Sequence, residues 1–160
     1  MGNRIVYDWL VILALYVLAC ASIFLLTSWA DGLGPDMPDR PDLTTEQFEE
    51  LFQYASLGIV GISLLATLAW YVLGTWGLRA YSTGRGRWIA VWGIGLMLTF
   101  LAVLAALIVP GHPQVLHDNM TKLGLFYAGI GVLPYYVATV LFSPADVKYV
   151  VPGSKALRRW

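Results

Sequence analysis

Charged residues are scarce in this 160-residue chain: Asp, Glu, Lys and Arg make up 12% of it, while 58% is hydrophobic. A water-soluble domain carries roughly 25% charged residues, which keep its surface solvated. So few charges cannot cover a soluble domain of this length. The scarcity therefore argues against an ordinary soluble fold and predicts a chain that lipid surrounds over most of its surface.

Cysteine is nearly absent as well, since Cys20 is the single example. One cysteine excludes an intrachain disulfide, a CxxC redox pair and a cysteine zinc site. Cys20 stands inside an apolar run, where a free cysteine usually serves as a small packing residue. We expect that role here.

Four long stretches contain no Asp, Glu, Lys, Arg or His. Each has at least about 20 residues, enough for an α-helix to cross a hydrocarbon core of about 30 Å. Backbone groups in lipid must bond within the segment, which favours helices over the shorter, alternating strands of a barrel. We predict an all-α integral membrane protein with one domain, 1–160, an antiparallel bundle of two hairpins. Its four transmembrane helices are predicted at about 9–30, 51–76, 88–109 and 123–143.

The few charges are segregated by sign. The loop 31–50 holds seven of the ten acids and a single base, Arg40. Eight of the ten Lys and Arg residues lie in the N-terminus, the connection 79–87 and the tail 146–160. Because bases accumulate on the cytoplasmic side, we expect both termini to be cytoplasmic and the acidic loop to be outside. We expect a multi-pass protein of the cell membrane, specifically the bacterial inner membrane.

The acidic loop changes character along its length. Its first part is rich in Gly and Pro and is predicted to be irregular. Thr44 followed by Gln47 is typical of a helix start, so the second helix is predicted to begin near Thr45. The negative potential of the loop suggests a docking site for a basic partner, and the alternative is a merely solvated loop. The docking residues would be Asp36, Asp39 and Asp42.

Catalytic and coupling groups are missing from the predicted spans. Proton relays and ion-coupled pumps need an acid, His or Lys at membrane depth, and the nearest carboxyl, Asp8, precedes the first span. His112 and His117 belong to a proline-rich segment, 110–119, which we predict to be a tight outer turn. With Asp118 they offer metal-ligand groups without a recognised metal spacing. We therefore expect no enzyme activity, no metal site and no cofactor, haem included.

Small residues recur within the predicted spans. Gly58 and Gly61 in the second span, with Gly124 and Ala128 in the fourth, would let helix backbones approach closely in lipid. We predict that they form tight helix-packing or partner contacts. Serine and threonine hydroxyls in the spans, such as Ser63, are expected to bond within or between helices.

Pro134 is predicted to kink the fourth helix. The adjacent Tyr135 and Tyr136 bring two hydroxyls to a depth at which lipid cannot satisfy them. Two interpretations stay open: the hydroxyls bond to carbonyls that Pro134 frees, or they contact another subunit or a small ligand.

The sequence favours a non-catalytic membrane subunit that scaffolds or anchors partner proteins in a larger assembly. Its expected partners are the lipid bilayer and other membrane subunits or copies of itself, and no motif suggests nucleic acid. One alternative is a homo-oligomeric channel or transporter, because four helices cannot enclose a wide pore alone. Another is a membrane immunity or defence protein, which needs no chemistry of its own.

Overall fold

The structure is a computed structural model, and it describes the backbone of residues 2–28, 45–74, 85–108, 113–143 and 150–152. Side chains are described within these ranges except near some of their ends. The predicted docking residues Asp36, Asp39 and Asp42 lie outside the described residues. The same holds for the side chains of His112, His117 and Asp118.

Helix is the only regular secondary structure in the described ranges, which confirms the all-α prediction. Four segments of these helices are long and apolar enough to cross a membrane: Val6–Leu25, Gln47–Val72, Arg87–Ile108 and Met120–Phe142. The helices are α1 (Gly2–Ser28), α2 (Thr45–Val72), α3 (Arg85–Ile108), α4 (Pro113–Ile130) and α5 (Val132–Phe142).

The fourth apolar segment is broken into α4 and α5 at Gly131. Pro134 has no N–H, so it cannot continue the ladder of backbone bonds to the residue four positions earlier. The Tyr135 N–H donates to the Gly131 carbonyl across a long 3.4 Å. The break lies where Pro134 predicts a kink.

The proline-rich segment 110–119 is not the tight turn that the sequence suggested. From Pro113 onward it forms the first turns of α4. Proline is well tolerated in the first turn of a helix, where its missing N–H would have no partner anyway. The prolines therefore predicted a turn in a segment that is helical from Pro113 onward, and α4 begins ten residues before the predicted span 123–143.

The α2 helix is central to the bundle, since it contacts α1, α3, α4 and α5. Within the described part of the chain, α1 and α3 share no contact and flank the bundle on opposite sides. One set of buried aliphatic and aromatic residues joins α1, α2, α3 and the fourth segment. A second set, here called the tryptophan cluster, comprises Trp70, Trp92, Tyr135, Val140, Val150 and Val151.

The described side chains differ in distribution from those of a water-soluble bundle. Among them, six Ser and Thr side chains are buried, whereas many large aliphatic side chains, such as Leu125, 71% exposed, lie on the outside. In a soluble protein, leucine is mostly buried and Ser and Thr are mostly exposed. The fold thus turns Ser and Thr side chains of α2, α3 and α5 inward and presents much hydrocarbon to its surroundings.

Three glycines that were predicted to pack tightly have no close neighbour among the described residues. A Cβ added at Gly58, Gly61 or Gly124 would meet no described atom within 4 Å. Gly58 is exposed, while Gly61, Gly124 and the nearby Ala128 are half-buried. In the described part of the chain, α2 and α4 turn hydroxyl and aromatic residues inward instead of these glycines. Contact with a partner chain stays a prediction.

Close backbone approach occurs instead at Gly95 and Gly131. An added Cβ would lie far inside van der Waals distance of the Tyr135 hydroxyl oxygen at Gly95, and of the Ile59 Cγ2 at Gly131. No side chain fits at such distances unless its neighbour moves. Gly95 therefore lets the Tyr135 ring cross α3, and Gly131 lets α2 approach the break in the fourth segment.

Gly95→Ala is expected to destabilise the protein, because the new methyl group displaces the buried Tyr135 ring. Overpacking of this kind costs about 1–3 kcal/mol. Gly93→Ala is the matched control, since no atom lies within 4 Å of its added Cβ. Unfolding midpoints in mild detergent should fall for Gly95→Ala and hold for Gly93→Ala. Equal midpoints for the two variants would contradict the packing described here.

Candidate functional site: a hydroxyl network at the broken helix

Three hydroxyls from two helices meet inside the bundle. Ser63 and Thr67 are four residues apart on α2 and therefore share one face of that helix. The Tyr16 hydroxyl of α1 lies 2.9 Å from Ser63 Oγ and 2.7 Å from Thr67 Oγ1. Thr67 also donates to the Ser63 carbonyl at 3.0 Å. Tyr16 thus joins α1 to α2 through hydrogen bonds, as the sequence suggested for Ser63.

The network continues into the break of the fourth segment. Ser63 Oγ donates to the Gly131 carbonyl oxygen at 2.7 Å, much closer than the 3.4 Å backbone bond from Tyr135. A backbone carbonyl without a good partner is costly in an apolar interior. Ser63 therefore compensates for the backbone bond that the break weakens. Through Ser63, the network links α1, α2 and the junction of α4 with α5.

A second network ties α5 to α3 and α2. The Tyr135 hydroxyl, whose side chain is 0% exposed, donates to the Trp92 carbonyl at 2.8 Å. In return, Trp92 Nε1 donates to Thr139 Oγ1 at 3.0 Å. Thr139 itself bonds back to the Tyr135 carbonyl at 2.8 Å. The reciprocal bonds fix the register between α3 and α5.

The end of α5 is attached to α2 in the same manner. Trp70 Nε1 donates to Ser143 Oγ at 2.9 Å. Ser143 Oγ in turn bonds to the Thr139 carbonyl one turn earlier. The two indole N–H groups of Trp70 and Trp92 are therefore satisfied by hydroxyls of α5 and its C-cap, which allows both rings to be buried.

Tyr136 has a partner outside the helices. Its hydroxyl donates to the Pro152 carbonyl at 2.9 Å. The preceding Val150 and Val151 are buried in the tryptophan cluster. Residues 150–152, here called the strap, thus fold back onto the bundle.

The structure gives the hydroxyls of Tyr135 and Tyr136 acceptors within the chain, and contact of the half-buried Tyr136 with another subunit or a small ligand stays a prediction. The acceptors are the Trp92 carbonyl on α3 and the Pro152 carbonyl in the strap, and neither is a carbonyl that Pro134 frees. Tyr135 is fully buried inside the chain, so its hydroxyl does not reach another subunit. The carbonyl at the break is satisfied instead by Ser63, which the sequence did not connect with Pro134.

Aromatic and charged groups gather at one end of the bundle, the end that contains the tryptophan cluster. The ring centroids of Trp70 and Trp88 are 5.7 Å apart, and those of Trp9 and Tyr71 are 4.6 Å apart. The half-buried Asp8 carboxyl accepts a hydrogen bond from the Tyr71 hydroxyl. Asp8 therefore joins α1 to α2, whereas its position in the sequence indicated only a carboxyl that precedes the first predicted span.

The chemistry of the buried networks is structural in character. Ser63 bonds to a phenol and a backbone carbonyl, and neither is a base that activates a serine. Cys20 is a free, half-buried thiol packed against the core. Among the described residues, no group of three potential metal ligands comes together. The Ser56 hydroxyl is buried without a partner in the described part of the chain.

Some network residues could have been found from spacing alone. Ser56, Ser63 and Thr67 recur at intervals of seven and four on α2, and Tyr135, Thr139 and Ser143 recur every four residues on α5 and its cap. Polar residues at helical spacing in an apolar span mark the face that turns away from lipid. Tyr16, Trp70 and Trp92 give no such signal, because aromatic residues at span ends equally suit the membrane interface.

No protein-family model, curated protein or solved structure matches this chain. A proposal for its function therefore rests on the contacts between its own residues.

Ser63→Ala is expected to lower the stability of the protein, because it removes the short bond to the Gly131 carbonyl and one partner of Tyr16. The Gly131 carbonyl would keep the long bond from the Tyr135 N–H alone, and a poorly satisfied buried acceptor costs about 1–3 kcal/mol. Ser22→Ala is the control, since the bond that Ser22 makes in the described part of the chain lies within its own helix, to the Ala19 carbonyl. Thermal unfolding in detergent should separate the two variants, and a wild-type midpoint for Ser63→Ala would count against the role given to the network.

Proposed function

We propose that this chain is a non-catalytic, four-span subunit of a membrane assembly, a rigid helical scaffold to which partner proteins bind. The observation that carries the proposal is the reversed polarity of the bundle. Six of its described Ser and Thr side chains are buried, the Tyr16, Ser63 and Thr67 hydroxyls lie within hydrogen-bond distance of one another, and many of its large aliphatic side chains face outward. Such a bundle is suited to lipid, in which internal hydrogen bonds and close packing hold helices together.

The contacts at the tryptophan end support four antiparallel crossings. Asp8 near the start of α1 bonds to Tyr71 near the end of α2, and Trp70 of α2 packs against Trp88 near the start of α3. Ser143, just beyond α5, bonds to Trp70. Alternate helix ends therefore meet on one side, as expected of two hairpins. We propose that this side is cytoplasmic, as the base count favours, and that the membrane is a bacterial inner membrane.

The outer surface offers places for a partner helix. Gly58 is exposed on α2 between Tyr54 and Ile62, which are both exposed as well, and so forms a shallow depression. Gly61 lies on the same helix, and Gly124 and Ala128 lie on α4, all half-buried. Small residues at the surface of a span let another helix approach closely. These positions are the proposed partner contacts.

The acidic loop adds a second proposed contact. Asp36, Asp39 and Asp42 would attract a basic partner outside the membrane, and salt would weaken that attraction.

Reporter fusions test the proposed membrane topology. A reporter fused after Trp160 is expected to be active only in the cytoplasm, because eight of the ten bases lie on that side. A reporter inserted near Pro38 is expected to be active only outside. The reverse result at either position would overturn the proposed orientation.

Gly58→Leu and Gly124→Leu are expected to leave the unfolding midpoint of the isolated protein unchanged, because a Cβ added at either position meets no described atom within 4 Å. Each should weaken the assembly by about 1–3 kcal/mol, or roughly five- to hundredfold in affinity. The measurement is recovery of partner chains after purification in mild detergent. Ala105→Leu, an exposed position on α3, is the control and should recover partners normally.

Wild-type recovery of partners by both glycine variants would show that these positions face lipid. Purification of the wild-type chain as a homo-oligomer, with no other protein, would favour the channel or transporter alternative. A conduction pathway would then have to form between copies, because Tyr16, Ser63 and Thr67 close the interior of each one with mutual hydrogen bonds.

A further inference from the structure

The hydroxyl network at the broken helix has more close contacts than it has protons. Four oxygen–oxygen contacts join its members: Tyr16 to Ser63 at 2.9 Å, Tyr16 to Thr67 at 2.7 Å, Ser63 to the Gly131 carbonyl at 2.7 Å, and Thr67 to the Ser63 carbonyl at 3.0 Å. Each hydroxyl has one proton to donate, and a carbonyl has none. Three protons are therefore available for four contacts.

The shortage falls on the Tyr16 hydroxyl. Ser63 and Thr67 each donate their proton to a backbone carbonyl, so neither has one left for Tyr16. The Tyr16 proton lies in one of its two contacts, and in the other contact two oxygen atoms face each other with no proton of their own. Buried acceptors without a donor are costly, and a water or an ion is the usual explanation for them.

The cluster is deeply buried and far from charged side chains. Ser63 is 0% exposed, Thr67 2% and Tyr16 3%. On the helices that form the cluster, the nearest described charged residues are Asp8, eight residues before Tyr16, and Lys122, nine residues before Gly131. They lie about 12 and 14 Å away along their helices, and their charges have opposite sign. The oxygen lone pairs therefore dominate the local potential.

Oxygen ligands of this kind suit a small monovalent cation. They are neutral hydroxyl and carbonyl oxygens, in contrast to the His, Cys, Asp and Glu side chains that hold most metal ions in proteins. Ca²⁺ and Mg²⁺ sites are built around carboxylates, and this cluster contains none. Backbone carbonyls at breaks in membrane helices coordinate Na⁺. The Gly131 carbonyl, between α4 and α5, is a ligand of that type.

We propose that the Tyr16, Ser63 and Thr67 hydroxyls and the Gly131 carbonyl form a binding site for one Na⁺ ion. The ion is attracted by the lone pairs that lack a proton, and it ties α1, α2 and the junction of α4 with α5 together. The site goes beyond the proposed function, because sodium binds the isolated chain whether or not partner proteins are present.

The test measures the unfolding midpoint of the full-length protein in mild detergent, in sodium, potassium and choline chloride at one ionic strength. Sodium is expected to raise the midpoint above that in choline and to saturate at one ion per chain, counted by equilibrium dialysis with radioactive sodium. Potassium should raise the midpoint less, because contacts of 2.7–3.0 Å have to widen further to admit a larger ion.

Thr67→Val separates a cation site from a purely structural network. Valine keeps the shape of threonine but removes one ligand oxygen, one proton and two of the four contacts, so each remaining contact has a proton. In choline the variant should therefore unfold near the wild-type midpoint. Its affinity for sodium should fall roughly 10- to 100-fold. A purely structural network predicts the same loss of stability in both salts.

Thr99→Val is the matched control. Thr99 is equally buried, and it too donates to the carbonyl four residues earlier, that of Gly95. This variant should keep the wild-type response to sodium. Tyr16→Phe is a second test variant, which keeps the ring, removes another ligand oxygen and should lose the response to sodium.

Four results would overturn the proposal: equal midpoints in sodium and choline, no sodium bound in dialysis, equal or greater stabilisation by potassium, or an undiminished sodium response in Thr67→Val and Tyr16→Phe. Loss of the response in Thr99→Val would also overturn it, since the effect would then not depend on the cluster. Failure to recover partner proteins contradicts the proposed function alone, because the sodium measurements use the isolated chain.

Discussion

The hydrogen bond from Ser63 to the Gly131 carbonyl is the contact on which most of the bundle depends. The fourth apolar segment breaks at Gly131, three residues before Pro134, and the backbone bond from the Tyr135 N–H to the Gly131 carbonyl is long, at 3.4 Å. Ser63 gives that carbonyl a second, closer donor, and Gly131 lets Ile59 of α2 come close enough for the bond to form. Tyr16 then brings α1 to the same point. One break in the backbone thus brings together three of the four apolar segments.

Hydroxyl groups also attach α5 to its neighbouring helices. Tyr135, Thr139 and Ser143 present a hydroxyl on each successive turn, and two tryptophans and a backbone carbonyl are their partners. Helices that are apolar on every side gain no preferred face from apolar contact alone, so hydroxyls and tight backbone approach specify which faces meet. Gly95 provides that approach for the Tyr135 ring. The interior is therefore specified by hydrogen bonds, while the surface is left to hydrocarbon.

Segments near the first and the last described residues meet at the tryptophan end. Asp8 and Trp9 of α1 contact Tyr71, and the strap packs against Trp70 and Trp92. Indole and phenol rings combine an apolar body with a polar edge, so they can be buried here while their polar atoms are hydrogen-bonded. This end consequently contains most of the described aromatic ring contacts.

The sequence by itself determined the helices and the kink. The absence of charged residues identified the four apolar segments, because a charge is costly in an apolar environment. Pro134 identified the break, because proline lacks the N–H that a continuous helix needs at that position. The sequence could not determine which faces meet. Segments that are apolar all round show no contrast between inside and outside, so Gly58 and Gly124 resembled Gly95 and Gly131. Only the tertiary structure decided which glycines touch a neighbour and which groups Tyr135, Tyr136 and Ser63 bind, since those choices depend on helices far apart in the chain.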